Sequence, residues 1–181
     1  MNLEAYILAK ILNPLTGEKI ILPPKKANSY VRQFIDILAA QLSTQDYTIK
    51  DINGTDRTVS DNAVNFRVSG GSGDTNRGIV IGSSNAPVEI SQHCLQSQIT
   101  TNVAHGAVSF AGPIIDGSTC YVDVIRTFTN NTGSELNIKE VGLYANAHST
   151  SYRFMLDRTL YTLDVPDGNA VTLAYRLSVT V

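Results

Sequence analysis

The segment that most constrains the fold is the last one. From Val171 to Val181 the chain reads Val-Thr-Leu-Ala-Tyr-Arg-Leu-Ser-Val-Thr-Val, a strict alternation of large apolar with small or polar side chains. Successive side chains of a strand point to opposite faces, so Val171, Leu173, Tyr175, Leu177, Val179 and Val181 share one face, and Thr172, Ala174, Arg176, Ser178 and Thr180 the other. At roughly 3.3 Å per residue this predicts a strand about 35 Å long, with one face buried and one wet. Such a strand needs partners beside it and a second layer across its apolar face. It runs to the final residue, so no tail for anchoring or targeting is expected.

The same logic extends backwards. Gly78–Gly82, Val108–Phe110, Thr119–Thr129, Leu136–Ala145, Phe154–Tyr161 and Ala170–Val181 read as strands, punctuated by turns such as Asn130-Asn131-Thr132-Gly133 and Pro166-Asp167-Gly168-Asn169. Residues His93–Ile99 fit either a short helical turn or an irregular crossing. Strands at such intervals predict a mainly β chain, an antiparallel β-sandwich of jelly-roll or Greek-key-like kind.

The first third is mixed. Ala5–Leu12 and Lys19–Leu22 flank Asn13-Pro14-Leu15-Thr16-Gly17 and read as a hairpin ended by Pro23-Pro24, with a helical first segment as the alternative. From Ser29 the period changes: Val31, Phe34, Ile35, Leu38 and Leu42 predict the apolar stripe of one amphipathic helix, with Arg32, Gln33, Asp36 and Gln41 facing away. Asn28 or Ser29 would cap it and Ser43-Thr44 would end it. Asn53-Gly54 between alternating segments predicts a second hairpin, and Val64–Val68 a short strand. Ser69-Gly70-Gly71-Ser72-Gly73 cannot pack a core and reads as a mobile loop or hinge. The expected organisation is a hairpin-helix-hairpin element over 1–68 docked on the sheet, a hinge at 69–77, and a sandwich over 78–181.

Composition narrows the function. At 181 residues the chain supports one domain with a substantial core. A net charge of -2 offers no basic field for a phosphate backbone, so nucleic acid is not an expected partner. Apolar runs end far short of the roughly 20 residues that cross a bilayer, and Met1-Asn2-Leu3-Glu4 lacks the basic start of a secretory signal. No membrane role and synthesis in the cytoplasm are expected. Cys94 and Cys120 read as free thiols behaving as small buried hydrophobes. The sequons at Asn53 and Asn130 read as turns.

Candidate chemistry is sparse. The glycine-rich loop leads through Asn76-Arg77-Gly78 into a strand, whereas a phosphate loop needs a Lys-Ser/Thr pair opening a helix. Asp74-Thr75-Asn76 begins like a calcium loop, but Asn85 stands where the closing carboxylate belongs. His93, His105 and His148 have no metal-ligand spacing, and adjacent His93 and Cys94 would point apart on an extended segment. The chain has no Trp for stacking on sugars, although Tyr121, Tyr144, Tyr152, Tyr161 and Tyr175 could substitute in part; packing the sandwich is their simpler role. No catalytic residue, metal or cofactor is expected, and no enzymatic activity.

Three segments resemble small virion structural proteins of tailed bacteriophages: Asn28–Phe34 opening the helix, Arg77–Gly82, and the series Arg126–Gly133, Ile138–Tyr144, Leu156–Arg158, Val165–Gly168 and the terminal strand. The resemblance implies a scaffold protein of the virion, in the tail, baseplate or fibre-attachment region, or alternatively a capsid decoration or head-fibre protein. It implies assembly with copies of itself and with other virion proteins. A carbohydrate-binding module touching host-surface glycan is the alternative of another class. Within the series, Gly142 predicts a bulge or close backbone approach, and Glu140 is expected to pair with Arg126 or Arg158 if it is not a solvated strand residue. The N-terminal hairpin and helix are the expected docking element, and removal of residues 1–26 is expected to leave a folded domain.

Overall fold

A computed structural model describes residues 2–27, 30–43, 45–61, 65–148 and 152–181. In chain order the elements are β1 (Asn2–Leu12), β2 (Lys19–Ile21), β3 (Lys25–Lys26), α1 (Arg32–Leu42), β4 (Tyr47–Lys50), β5 (Asp56–Val59), β6 (Gly78–Gly82), β7 (Val103–His105), β8 (Ser109–Asp116), β9 (Thr119–Asn130), β10 (Leu136–Asn146), β11 (Arg153–Val165) and β12 (Ala170–Thr180). Among the described residues they form a large sheet ordered β2-β1-β12-β9-β7, with β3 beside β1 and β8 beside β9, a small sheet ordered β11-β10-β6, and the β4-β5 hairpin. Every pairing is antiparallel. The two sheets pack face to face as the predicted β-sandwich, with a single short helix among the described residues.

The terminal strand is the axis of the large sheet. β12 pairs along its whole length with β1 on one side and β9 on the other, so in-register rows cross the sheet. Residues directly opposite one another share a face. The inner rows are Ile11–Val171–Phe128, Ala9–Leu173–Arg126, Ile7–Tyr175–Val124, Ala5–Leu177–Val122 and Leu3–Val179–Cys120. Val171, Leu173 and Tyr175 are fully buried against the small sheet, and each such side chain contributes on the order of 1.5–3 kcal/mol. Leu177 and Val179 are only half-buried and Val181 is 84% exposed. The alternation therefore predicts the face and not its cover, since the core across it reaches Val171, Leu173 and Tyr175 but closes only in part over Leu177 and Val179.

Two expected divisions are not seen. β1 is an interior strand, paired with β12 over eleven positions, so the N-terminal hairpin is part of the main sheet and not a separable docking element. Removing residues 1–26 would strip one side of β12. The glycine-rich stretch is also no free hinge: Gly70 is buried and its carbonyl accepts from the Val108 amide, while the Gly73 amide donates to the His105 carbonyl.

The helix forms where expected, but its buried side is rotated from the predicted stripe, of which Val31 is buried and Phe34 and Leu38 are half-buried. Gln33, Ile37 and Ala40 are buried, whereas Ile35 is 57% and Leu42 is 79% exposed. Gln33 Nε2 donates to the Lys50 carbonyl at 2.7 Å, so a polar residue expected outside ties α1 to β4. The predicted caps Asn28 and Ser29 and the closing Thr44 lie outside the described residues, as does Val64, the start of the expected Val64–Val68 strand; Arg67 makes a single bridge with Asn146. The Asn-Gly hairpin is β4-β5. Its turn is organised by buried Asp51, which accepts from the Asn53 and Thr55 amides and from Arg57 Nε at 2.8 Å. Residues 93–99 are an irregular crossing, β7 has no counterpart among the predicted strands, and β8 and β11 run longer than predicted.

Candidate functional site

Two buried arginines decide what the irregular segments are. On β10 and β11, Glu140 and Arg158 lie on the outer face of the small sheet with side chains at 0% exposure, and Arg158 Nε donates to Glu140 Oε2 at 2.6 Å. The expected pair is thus Glu140 with Arg158, and a solvated Glu140 is ruled out. The other bonds of the pair go to the crossing between β6 and β7. Arg158 donates to the carbonyls of Ala86 (2.9 Å) and Pro87 (3.1 Å) and to Gln92 Oε1 (3.0 Å). Glu140 accepts from the amides of Gln96 (3.2 Å) and Ser97 (2.8 Å). One residue earlier in the crossing, the Leu95 amide donates to the hydroxyl of buried Tyr144 at 2.7 Å, and burial pushes that phenol far above its ordinary range.

Glycines let the crossing lie this close. Gly142 faces Leu95 and Val80: a methyl there would stand 2.9 Å from Leu95 Cδ2. It is the expected close approach, whereas the register shifts of β10 fall on either side, between Ile138 and Glu140 and between Leu143 and Tyr144.

The second arginine points inward from β9. Arg126 Nε donates to the Gly106 carbonyl at 2.8 Å and Nη1 to the carbonyls of Arg77 and Ile79 at 2.9 Å, while Nη2 reaches the carbonyls of Gly71 and Asp74. A single guanidinium thus holds the glycine-rich segment by its carbonyl dipoles, and burial lowers its proton affinity. Asp74, the first residue of the calcium-like motif, binds Arg77 Nε at 2.6 Å and the Asn76 amide at 2.8 Å; burial would raise its pKa, but these donors together hold it below the ordinary carboxylate value. Among the described residues no cluster of His, Cys, Asp and Glu is arranged to hold a metal ion.

The remaining candidates separate. His105 is buried edge-on against Phe128, and desolvation together with the nearby Arg126 lowers its pKa. Cys94 is half-buried and burial raises its thiol, the reverse of an activated nucleophile. Cys120 is exposed, contrary to expectation, because it lies on the inner face beyond the reach of the small sheet. Asn130 is fully buried, donating to the Ser134 and Val165 carbonyls, so that sequon pins two turns together. Of the tyrosines, Tyr144 and Tyr175 are buried, and Arg guanidinium groups lie over the rings of Tyr121 (3.7 Å) and Tyr152 (4.5 Å).

Among the described residues, three open surfaces bear on what the chain could contact. The outer face of the large sheet carries a polar groove of about 360 Å³ between Tyr6 and Tyr121, floored by Arg176, which grips Asp123 through two bonds of 2.7 and 2.8 Å. The inner face ends in a bare apolar ledge, a depression of about 390 Å³ lined by Leu3, Pro113, Cys120, Val122, Leu177 and Val179. At its root, between the ledge and α1, is an apolar cleft of about 270 Å³ that includes Phe34, Val124, Leu143, Leu156 and Leu177. The β8-β9 hairpin extends the ledge sideways, exposing Phe110 (51%) and Ile115 (79%) on that face, while Ile114 (39%), opposite Tyr121, lies on the other. Sequence reasoning read Phe110 as the end of a strand and made no assignment for Ile114 and Ile115; the signal it passed over is the absence of any charge from Ser109 to Ile115, where a solvated edge strand ordinarily carries one.

No family, curated protein or solved structure matches this chain.

Proposed function

We propose that this chain is a non-enzymatic structural component of a tailed-bacteriophage virion, assembling as a symmetric oligomer in the tail, baseplate or fibre-attachment region. The observation that carries the reading is the apolar ledge with its projecting hairpin, a contiguous uncharged surface of the kind that marks protein–protein contact. The disposition of buried charge supports it. Glu140, Arg158 and Arg126 hold loops onto sheets and face no cleft where a substrate could sit, which suits a rigid scaffold. The sequence likeness to small virion proteins supplies the context. Mass spectrometry of purified particles followed by reconstruction at residue-level resolution tests the reading: the chain is expected in stoichiometric, symmetric copies, and its absence from washed particles would overturn it.

The polar groove between Tyr6 and Tyr121 favours, as a second reading, contact with a host-surface glycan. Saturable binding on a glycan array that is lost in Tyr6→Ala would support it. The guanidinium already stacked on Tyr121 weighs against it, since it occupies a ring face that a sugar would need.

A further inference from the structure

We infer that His105 is the pin of an acid-sensitive latch: protonation of its ring releases β7 and the glycine-rich segment from the large sheet while the rest of the sandwich stays folded. The latch is a property of the fold and does not depend on the virion reading above.

The first ground is where the ring sits. His105 lies opposite Phe128 in the β7-β9 ladder, and Arg126 is two residues from Phe128 on the same inward face. The three side chains converge there. The His105 ring meets Phe128 edge to face with 5.2 Å between centroids, and the Arg126 guanidinium lies over the same Phe128 ring at 5.6 Å. His105 is 4% exposed, and neither ring nitrogen makes a hydrogen bond to the described residues. A neutral imidazole can be held in such a site, at the cost of its unmade bonds. An imidazolium would be a second buried cation beside the guanidinium, with no acceptor bonded to it.

The second ground is what the pin holds. The His105 carbonyl accepts from the Gly73 amide at 2.8 Å and from the Ser72 hydroxyl at 3.4 Å. The next carbonyl, that of Gly106, accepts from Arg126 Nε at 2.8 Å, and the Val108 amide donates to the Gly70 carbonyl at 2.8 Å. Residues 105–108 and the glycine-rich segment are thus bonded to each other and to one guanidinium. β7 itself is three residues long, stands at the edge of the sheet and pairs with β9 at three positions. So short an edge strand belongs to the part of a fold that opens most easily. For the ring to reach water β7 must leave β9, which withdraws the carbonyls of His105 and Gly106 from Gly73 and Arg126.

The third ground is the charge around the ring. From β9 it faces Arg126, and the segment bonded to its carbonyl carries Asp74 and Arg77, with Arg153 of β11 close to both. The three arginines stay cationic throughout mild acid. Asp74 is bound by Arg77 and the Asn76 amide and held below the ordinary carboxylate value, so it stays ionised too. The Ile99 backbone favours the charged ring, but burial and Arg126 outweigh it. His105 is the member of this group that titrates near neutrality. The opened latch takes up the proton at the ordinary value of 6.5 and the closed one only at lower pH, so acid favours opening. Between those two values the opening constant rises by up to about tenfold per pH unit, which amounts to several-fold from about pH 7.5 to 5.5.

The test is amide hydrogen exchange of the full chain followed by nuclear magnetic resonance at about pH 7.5 and 5.5, each rate divided by the intrinsic rate at that pH. The amides of Gly73, Gly106 and Val108 are expected to lose protection several-fold at the lower pH. Those of Gly17 and Leu22, bonded to the Asn13 and Ala9 carbonyls in the β1-β2 hairpin, are expected to keep theirs, because opening there leaves His105 in place. The His105 ring signal should titrate with a midpoint below 6.5. His105→Leu is expected to give the same protection at both pH values, and His93→Gln to leave the fall as it is in the parent. Should His105→Leu misfold, the ring titration and the parent's own exchange decide the matter. Equal protection of the three amides at both pH values overturns the inference. So does a fall shared by Gly17 and Leu22, a fall that persists in His105→Leu, or a ring that titrates at 6.5 or above.

Discussion

Glu140→Gln isolates what the buried ion pair does. The substitution keeps the shape of the side chain but removes its charge and turns one acceptor oxygen into a donor. The new carboxamide would face three donors, Arg158 Nε and the amides of Gln96 and Ser97, with a single acceptor atom. Removing one partner of a buried pair costs about 3–5 kcal/mol, because the other charge stays in a low-dielectric site. Arg158 keeps its bonds to Ala86, Pro87 and Gln92, whose dipoles still support the cation, so a loss of about 3 kcal/mol is expected. That is a large share of a typical stability of about 5–15 kcal/mol. For a chain of this size it corresponds to a fall in Tm of about 6–12 °C. Guanidinium denaturation followed by circular dichroism gives the midpoint and slope. Limited proteolysis should show cleavage within 83–99 before global unfolding, because the lost bonds are those holding that crossing. The double variant Glu140→Leu/Arg158→Met is expected to lose less than Glu140→Gln alone, since it leaves no buried charge unpaired. A loss below about 1 kcal/mol for Glu140→Gln at unchanged slope would refute the reasoning, leaving the crossing held by apolar contacts such as Leu95.

Three further outcomes are expected. Arg126→Lys loses the forked geometry that reaches several carbonyls at once, and should cost about 2–4 kcal/mol with new proteolytic sensitivity at 70–77; stability equal to the parent in urea titration would refute this. Gly82→Ala should cost about 1–3 kcal/mol by overpacking, because its methyl would collide with Glu140 Oε1 and stand 2.6 Å from the Ser97 carbonyl; its backbone is of an ordinary kind, so the cost is steric alone and thermal unfolding reads it directly. His105 has a lowered pKa in the fold, so below its ordinary value of 6.5 the unfolded chain binds the proton more readily, and stability should decline as pH falls from 6.5 towards the folded value. His105→Leu should flatten that decline in denaturation series between about pH 7.5 and 5.5, and an unchanged slope would exclude His105 as its source.

How far the sequence could be read depends on whether a residue's surroundings are local. The Asn-Gly hairpin was legible because its turn is made by residues within the turn, with Asp51 binding amides two and four positions on. The helix was legible as a helix but only partly in orientation: of the stripe Val31, Phe34, Ile35, Leu38 and Leu42, Val31 is buried and Phe34 and Leu38 are half-buried, while Gln33, Ile37 and Ala40, of the same period, are the residues of α1 turned fully inward, Gln33 donating to the Lys50 carbonyl of β4. The glycine-rich segment read as a hinge because nothing in it can pack. Its order comes from Arg126, about fifty residues on, whose inward position in β9 looks in sequence like any polar residue in an amphipathic strand.

The terminal strand separates the two kinds of information most clearly. Sequence alone determined that it is a strand, which six residues share its apolar face, and that a long sheet must flank it, because alternation is a property of the backbone's own period of two. Tertiary structure alone decided that Val171, Leu173 and Tyr175 would be covered while Leu177 and Val179 would not, because cover depends on where a second sheet ends. The length of β6 and the placement of the crossing that Glu140 and Arg158 hold are set by contacts between residues far apart along the chain. A pattern of period two carries no record of them.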